Sequence, residues 1–320
     1  MGTLSLNDYE DVSIPLPWGH LAGRWYGNRR ERPILALHGW QDNLGTFDTL
    51  IPLLPDYLGI LCIDLPGHGH SSRLPKGIQY DFVNFAFIIG RVMQEFKWSK
   101  VSLLGHSMGA ILSLIYSSLA PHTVDLVILI EGVINPFARL DLDISAFNIE
   151  RCLQEVDRMA INEATNYEPT SYSMEHFCQF VHTCTVEAVP VELAPHLLKR
   201  SVHRSQLYPD KYYTLKDNRT KCAVELQLSL GLAAEMARCI REKPVLILKG
   251  AESPFMCERD EEVISILRAQ NPDLEFHELQ GNHYIHLCNP TACAAHIVPF
   301  LRRHRPHSRI DNSHRKQHKL

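Results

Sequence analysis

A serine between two glycines, Ser107 in the run Gly105-His106-Ser107-Met108-Gly109, is the first candidate for chemistry. An apolar run from Val101 to Leu104 precedes it, and an apolar helical pattern follows it. A tight strand-to-helix turn exposes a serine hydroxyl as a nucleophile, and the glycines let neighbouring backbone approach. The alternative is an ordinary glycine-flanked turn. The context favours Ser107 as a nucleophile that attacks a carbonyl carbon.

A serine hydroxyl needs a base to act as a nucleophile at neutral pH. For a serine on this kind of turn, the histidine comes last in the chain, in a loop after the final strand. The run Leu274 to Leu279 is the predicted last strand, and His283 follows it at the tip of a loop marked by Gly281. We predict His283 as the base. His286 is the nearest competitor, and we interpret it as a structural histidine.

The carboxylate that orients this base has two candidates. The usual position is the loop after the penultimate strand, where Ser253 stands in place of an aspartate and Glu252 comes one residue earlier. The other is the end of the strand after the nucleophile helix, where Glu131 follows an apolar run. A carboxylate there is costly unless it is paired, so we favour Glu131. Glu252 stays open as the alternative, and its structural interpretation is a surface pair with Lys249.

Two backbone N–H groups are expected to stabilise the oxyanion that forms during attack. One belongs to Met108, directly after the nucleophile. The other is assigned to Trp40, because His38-Gly39-Trp40 follows the apolar run Ile34 to Leu37, where such a loop belongs. Trp40 is also a candidate wall of the pocket. For His38 we prefer a structural role, with its ring hydrogen-bonded to the backbone.

An alternation of apolar strands and helical patterns must position these residues. The predicted strands are 12–17, 20–26, 34–37, 60–63, 101–104, 126–130, 244–248 and 274–279, and the predicted helices are 44–54, 81–96, 110–119 and 291–303. Continuous apolar strands that alternate with helices predict an α/β fold. Its central sheet is expected to be mostly parallel, with helices on both faces.

The alternation breaks after residue 135 and resumes near residue 231. We predict a core of residues 1–135 and 231–303, a helical cap insertion at 136–230 and a basic, disordered tail at 304–320. Apolar cap residues could line the pocket or simply pack together, and both interpretations stay open: Phe137, Phe147, Met159, Tyr172 and Phe177.

Composition excludes several classes of function. A net charge of -4 gives no reason to expect a nucleic-acid partner, and no apolar run is long enough to span a bilayer. The 9 cysteines include no Cys-x-x-Cys pair, and the N-terminus lacks a signal-peptide pattern, which together favour a reducing, cytoplasmic location. The end, His318-Lys319-Leu320, matches the peroxisomal tripeptide Ser-Lys-Leu at two of three positions, which keeps peroxisomal targeting as an alternative.

Several motifs together resemble the Kraken and serine hydrolase-like proteins of the α/β-hydrolase superfamily. They are Pro17-Trp18-Gly19-His20, His38-Gly39-Trp40-Gln41-Asp42-Asn43, Phe47 with Leu50 to Pro55, Pro66 to Ser72, the Ser107 run and Gly281-Asn282-His283. The likeness covers residues 12–130 and 244–303. It implies the α/β-hydrolase fold and a Ser–His–acid enzyme without a metal or organic cofactor. Ser253 departs from the usual acid position, which is a second reason to consider Glu131.

Two functions from different classes remain. The first is a carboxylesterase-like serine hydrolase that cleaves an ester, thioester or similar acyl bond of a small molecule through an acyl-enzyme intermediate. The second is a catalytically silent fold of the same type that serves as a small-molecule or protein binding module, because a fold does not fix a function. The sequence leaves the acyl group and the oligomeric state open.

Overall fold

The structure is a computed structural model that describes residues 2–133, 150–151, 153–158, 161, 168–214, 216–222 and 229–307. Its strands, in chain order, are β1 (Tyr9–Leu16), β2 (Gly19–Gly27), β3 (Ile34–Leu37), β4 (Gly59–Ile63), β5 (Val101–His106), β6 (Val124–Ile130), β7 (Val202–Arg204), β8 (Tyr212–Thr214), β9 (Val245–Gly250) and β10 (Leu274–Leu279). All but β7 and β8 form one eight-stranded sheet in the order β1-β2-β4-β3-β5-β6-β9-β10.

The sheet is mostly parallel, as predicted. Strand β2 runs antiparallel to both β1 and β4, whereas the remaining neighbours in the sheet are parallel. Parallel strands end at one common edge, so residues directly after β3, β5, β6, β9 and β10 are brought together there.

Helices cover both faces of this sheet. They are α1 (Phe82–Glu95), α2 (Met108–Leu119), α3 (Met174–Cys184), α4 (Ala194–Leu198), α5 (Leu230–Cys239), α6 (Glu258–Gln270), α7 (Ile285–Cys288) and α8 (Pro290–His304), and residues 150–151 and 153–158 are also helical. Alternate residues of a strand point to opposite faces. Leu35 and Leu37 therefore enter one apolar cluster with α1 and α2, while Ile34 and Ala36 enter another with α8. The predicted α/β fold class is confirmed.

One predicted helix, residues 44–54, is wrong. The segment forms two short 3-10 helices, Leu44–Phe47 and Ile51–Leu53. The first begins at Asn43, whose side chain accepts a hydrogen bond from the Gly45 N–H. Pro52 lacks an N–H and disfavours α-helical geometry at the residue before it, which disfavours one continuous α-helix here.

The described part of the predicted cap contains helices α3 and α4 and the antiparallel pair β7·β8, whose residues are not buried. Phe177 packs in a small apolar cluster with Leu198, whereas Tyr172 is 42% exposed. The other apolar cap residues named above, Phe137, Phe147 and Met159, lie outside the described residues. The division into core and cap stays a prediction.

The C-terminal segment is described as far as His307. His304 ends α8, and the guanidinium of Arg305 donates to the Ser102 hydroxyl and to the Arg32 carbonyl. Residues 308–320 and their terminal tripeptide lie outside the described residues, so peroxisomal targeting stays a prediction. In the residues that the structure describes, no helix has the length and apolar character needed to cross a bilayer.

Two buried arginines connect the segment 200–219 to the part of the chain that follows β4. Arg200 bonds the Asp64 carboxylate, with Nη2 2.8 Å from Oδ2. Arg219 bonds Asp217 and also donates to three main-chain carbonyls, those of Leu74, Pro75 and Ile78.

Replacing Arg219 with methionine is expected to destabilise the protein by about 3–5 kcal/mol, because Asp217 is left as an uncompensated buried charge. Urea unfolding followed by circular dichroism measures the loss. The matched control is Arg238→Met, since Arg238 pairs with Glu235 on the exposed surface and its loss is expected to cost less than about 1 kcal/mol. Equal losses in the two variants would show that the buried pair does not anchor this segment.

Candidate active site

Ser107 occupies a strained turn between β5 and α2. Its backbone has φ 52° and ψ −118°, a left-handed conformation that side chains rarely adopt. Its N–H donates to the Ile130 carbonyl at 2.8 Å, which fixes the turn against the end of β6. Ser107 is partly exposed although residues 101–106 and 108–110 are buried. The turn therefore presents this hydroxyl at the carboxyl edge of the sheet.

The glycines around Ser107 are required by close backbone approach. A Cβ on Gly105 would lie 2.3 Å from the Gly109 oxygen, and one on Gly109 would lie 2.1 Å from the Leu37 oxygen. A Cβ on Gly39 would lie 3.2 Å from the Ser107 Cβ. The loop after β3 is thus packed directly against the serine.

His283 and Glu131 come together behind this serine. Nδ1 of His283 lies 3.0 Å from Oε2 of Glu131. The Glu131 side chain is fully buried, and the residue adopts φ 58°, which turns the chain directly after β6. His283 lies close to the serine turn, because its carbonyl oxygen is 3.0 Å from Nε2 of His106, the residue before Ser107. Sequence positions 107, 131 and 283 therefore meet at one edge of the sheet.

The Glu131 carboxylate is held by further donors. The Gly250 N–H donates to Oε1, and the Ser253 hydroxyl donates to Oε2. The ring of Phe255 packs on the His283 ring with centroids 4.1 Å apart. These contacts fix the carboxylate and the imidazole in one orientation. Sequence reasoning missed the roles of Gly250, Ser253 and Phe255; the hint was Ser253, a hydroxyl where an acid was expected.

Glu252 lies elsewhere. Its side chain is exposed, and its carboxylate accepts a hydrogen bond from the Gln280 amide. The predicted surface pair between Glu252 and Lys249 is wrong, because Lys249 pairs with Glu278 at 2.8 Å. Lys249 and Glu278 are register partners in the β9·β10 pairing, which places their side chains next to each other.

The two histidines interpreted as structural are buried. His38 accepts from the Leu65 N–H at 2.9 Å, and its Nδ1 lies 2.7 Å from the Gly39 oxygen, the backbone bonding expected of a structural residue. His286 has Nε2 2.8 Å from the Thr46 hydroxyl, but among the described residues its Nδ1 has no partner. Burial lowers the pKa of both imidazoles to about 3, so both are neutral at pH 7.

The predicted oxyanion donors belong to two segments next to Ser107. Met108 is the first residue of α2, and first-turn N–H groups have no carbonyl partner within a helix. Trp40 directly follows Gly39 in the loop packed against the serine. Its indole N–H donates to the Thr220 carbonyl at 2.7 Å, and the Gln41 amide donates to the Thr220 hydroxyl. Hydrogen bonds to the segment 216–222 therefore fix the position of this loop.

A surface cleft of about 530 Å³ lies away from these residues. It runs along α1, and its walls include Trp18, Tyr80 and Phe87. None of Ser107, Glu131 and His283 lines it, so it is not part of the candidate active site.

Comparison with known proteins identifies the fold family. The model of the alpha/beta hydrolase fold family matches residues 32–290. A probable serine hydrolase of Drosophila melanogaster is 33% identical over 313 residues, which cover 93% of this chain and 89% of that protein. Serine hydrolase-like protein 2 of Homo sapiens is 27% identical and covers 91% of this chain and 93% of its own length. The solved structure of a hypothetical protein from Pseudomonas aeruginosa PAO1 superposes with a TM-score of 0.75, at 28% identity over 91% of this chain and 99% of that one.

Proposed function

Because this chain belongs to the α/β-hydrolase fold family, we propose that it is a serine hydrolase that cleaves an ester or thioester through an acyl-enzyme intermediate. The observation that carries the proposal is the 3.0 Å contact between His283 Nδ1 and Glu131 Oε2, formed beside the strained Ser107 turn. The relatives named serine hydrolase or serine hydrolase-like support the same chemistry.

Glu131 sets the tautomer of the base. A carboxylate can only accept hydrogen bonds, so Nδ1 of His283 carries the proton and Nε2 is left as the basic nitrogen. Nε2 removes the Ser107 proton while Oγ bonds to the carbonyl carbon. The imidazolium that forms is stabilised by the Glu131 charge, and the oxyanion is stabilised by the Met108 and Trp40 N–H groups.

The remaining steps return the enzyme to its starting state. Nε2 gives its proton to the leaving oxygen or sulfur as the bond between that atom and the acyl carbon breaks. A water then attacks the acyl carbon, loses a proton to Nε2 and displaces Ser107, which regains its proton as the acid product leaves. Esters and thioesters fit this sequence because both present a carbonyl carbon and a leaving group that accepts a proton.

A fluorophosphonate probe tests the proposal without knowledge of the substrate. The intact protein is expected to form a covalent adduct, detected as a mass increase on the peptide that contains Ser107, and Ser107→Ala is expected to form none. Ser118→Ala is the matched control, because this serine lies near the other end of α2 and donates to the Ile115 carbonyl. If the intact protein formed no adduct, the alternative of a catalytically silent binding module would replace the enzyme.

A further inference from the structure

Two buried polar atoms beside the candidate active site face each other without a hydrogen-bond partner among the described residues. They are Oδ2 of Asp42 and Nδ1 of His106, which are 3.8 Å apart. Both side chains are almost completely excluded from solvent. Buried polar atoms are rarely left unpaired, so this pair calls for a physical account.

The tautomer of His106 follows from its other nitrogen. Nε2 lies 3.0 Å from the carbonyl oxygen of His283, and a carbonyl can only accept, so Nε2 carries a proton. Burial, together with the neighbouring His286 and His283, lowers the pKa of His106 well below its usual value, which makes the ring neutral. A neutral ring with its proton on Nε2 has a bare lone pair on Nδ1. A hydrogen bond to Nδ1 therefore needs a donor on the facing atom.

Asp42 can be that donor only when its carboxyl group is protonated. Burial raises the pKa of this carboxyl group to about 7. The positive charge of Lys216 and side-chain hydrogen bonds with Thr46 and Tyr284 act in the opposite direction and lower it. Asp42 also lies in the loop that carries Trp40, and its N–H donates to the Gly39 carbonyl of that loop. Asp42 thus connects the loop after β3 to the residue before Ser107.

We propose that Asp42 is a positioning residue that retains a buried proton and donates it to Nδ1 of His106, whose Nε2–H holds the main chain of His283. A shift of about 1 Å brings the two atoms into hydrogen-bond range. This inference rests on the proposed function, since His283 is the base of that reaction. The chain of contacts runs from Asp42 through His106 to the backbone of His283.

Ionisation of Asp42 is expected to weaken the contact between His106 and His283. An ionised Asp42 presents negative charge to the lone pair of His106, and the contact that holds His283 is weakened. The titratable groups that face the pair are Lys216 and Tyr284 on the Asp42 side, and His38, His283 and His286 on the His106 side. Lys216 needs separate control, because burial lowers its pKa to about 8.

The test is the rate of fluorophosphonate labelling of the full chain between pH 6 and 9.5. The wild-type rate is expected to fall on the alkaline side by at least about tenfold, as expected when an essential group loses its proton. Asp42→Asn keeps a donor that cannot ionise, so its profile is expected to lack the alkaline fall. Asp42→Leu removes the donor and is expected to label at least about tenfold more slowly than Asp42→Asn at every pH.

Lys216→Met separates the two groups that titrate in this range. Its charge lowers the pKa of Asp42, so its removal is expected to move the alkaline fall to higher pH. An alkaline fall that persisted in Asp42→Asn and vanished in Lys216→Met would assign it to Lys216 and overturn the inference. A wild-type profile without an alkaline fall would overturn it as well.

A measurement that needs no activity keeps the two proposals distinguishable. Nitrogen NMR of the ring-labelled protein, with the His106 signals assigned by His106→Gln, is expected to show a proton on Nε2 and a hydrogen-bonded, bare Nδ1. The Nδ1 signal is expected to move in Asp42→Leu and to move less in Asp42→Asn. A proton on Nδ1 would overturn the positioning role of Asp42, whether or not the protein is labelled. A complete failure of labelling would contradict the proposed serine hydrolase instead.

Discussion

Replacing Ser107 with alanine is expected to lower turnover of an acyl substrate by about 10⁶-fold, since loss of the nucleophile leaves the base and the oxyanion donors without an acyl-enzyme route. Turnover is measured with a series of p-nitrophenyl esters of increasing acyl chain length. The same series reports the acyl preference of the intact enzyme. A rapid initial release of nitrophenol, which marks acyl-enzyme accumulation, is expected to disappear in the variant.

Two features make this result interpretable. Ser107 is partly exposed on a turn, so removal of its hydroxyl disturbs little packing, and circular dichroism is expected to be unchanged. Ser118→Ala serves again as the control, because its hydroxyl bonds the Ile115 carbonyl within α2. If Ser107→Ala kept the wild-type turnover, the activity would belong to another group and the proposed mechanism would be wrong.

Replacing Glu131 with glutamine is the second large effect, with an expected loss of about 10⁴-fold in kcat. The amide can offer a donor to Nδ1 of His283, which would favour the wrong tautomer and leave Nε2 protonated. The matched control is Glu252→Gln, an exposed residue bonded to the Gln280 amide, which is expected to keep its kcat within about threefold, as surface changes away from a site do.

The pair of variants separates the two candidate acids. Steady-state kinetics on the preferred ester gives kcat and KM for both, and urea unfolding checks that each variant is folded at the assay temperature. A large loss in Glu252→Gln with normal kcat in Glu131→Gln would reverse the assignment. Normal kcat in both would remove the carboxylate from the mechanism.

Much of the fold follows from local sequence pattern. The apolar run 34–37 and the mixed apolar and polar run 274–279 are strands with those bounds, because four to six apolar or alternating residues flanked by turn residues have few other stable solutions. The helix predicted at 44–54 is wrong: the segment forms two 3-10 helices, and apolar spacing alone ignores Pro52, which disfavours a continuous α-helix. The conformation of this segment depends on the backbone restrictions of single residues, which apolar spacing does not describe.

The candidate nucleophile and base were accessible from sequence because each depends on local context. Gly105 and Gly109 are needed wherever a strand turns sharply into a helix, so the motif carries its own geometry. His283 was placed by its position after the last strand, which is a statement about chain order. Both residues could therefore be proposed without knowing which strands are neighbours.

The acid and the groups that hold it depend on strand order. Glu131 meets Gly250 and Ser253 because β6 lies beside β9 in the sheet, a pairing between segments more than a hundred residues apart. The same non-local packing sets Asp42 opposite His106. By itself the sequence determined the strands of the central sheet, the serine turn and the histidine loop, because short-range sterics and apolar periodicity specify them. Only the tertiary structure decided which carboxylate reaches His283, because that contact arises when distant strands align at a shared edge.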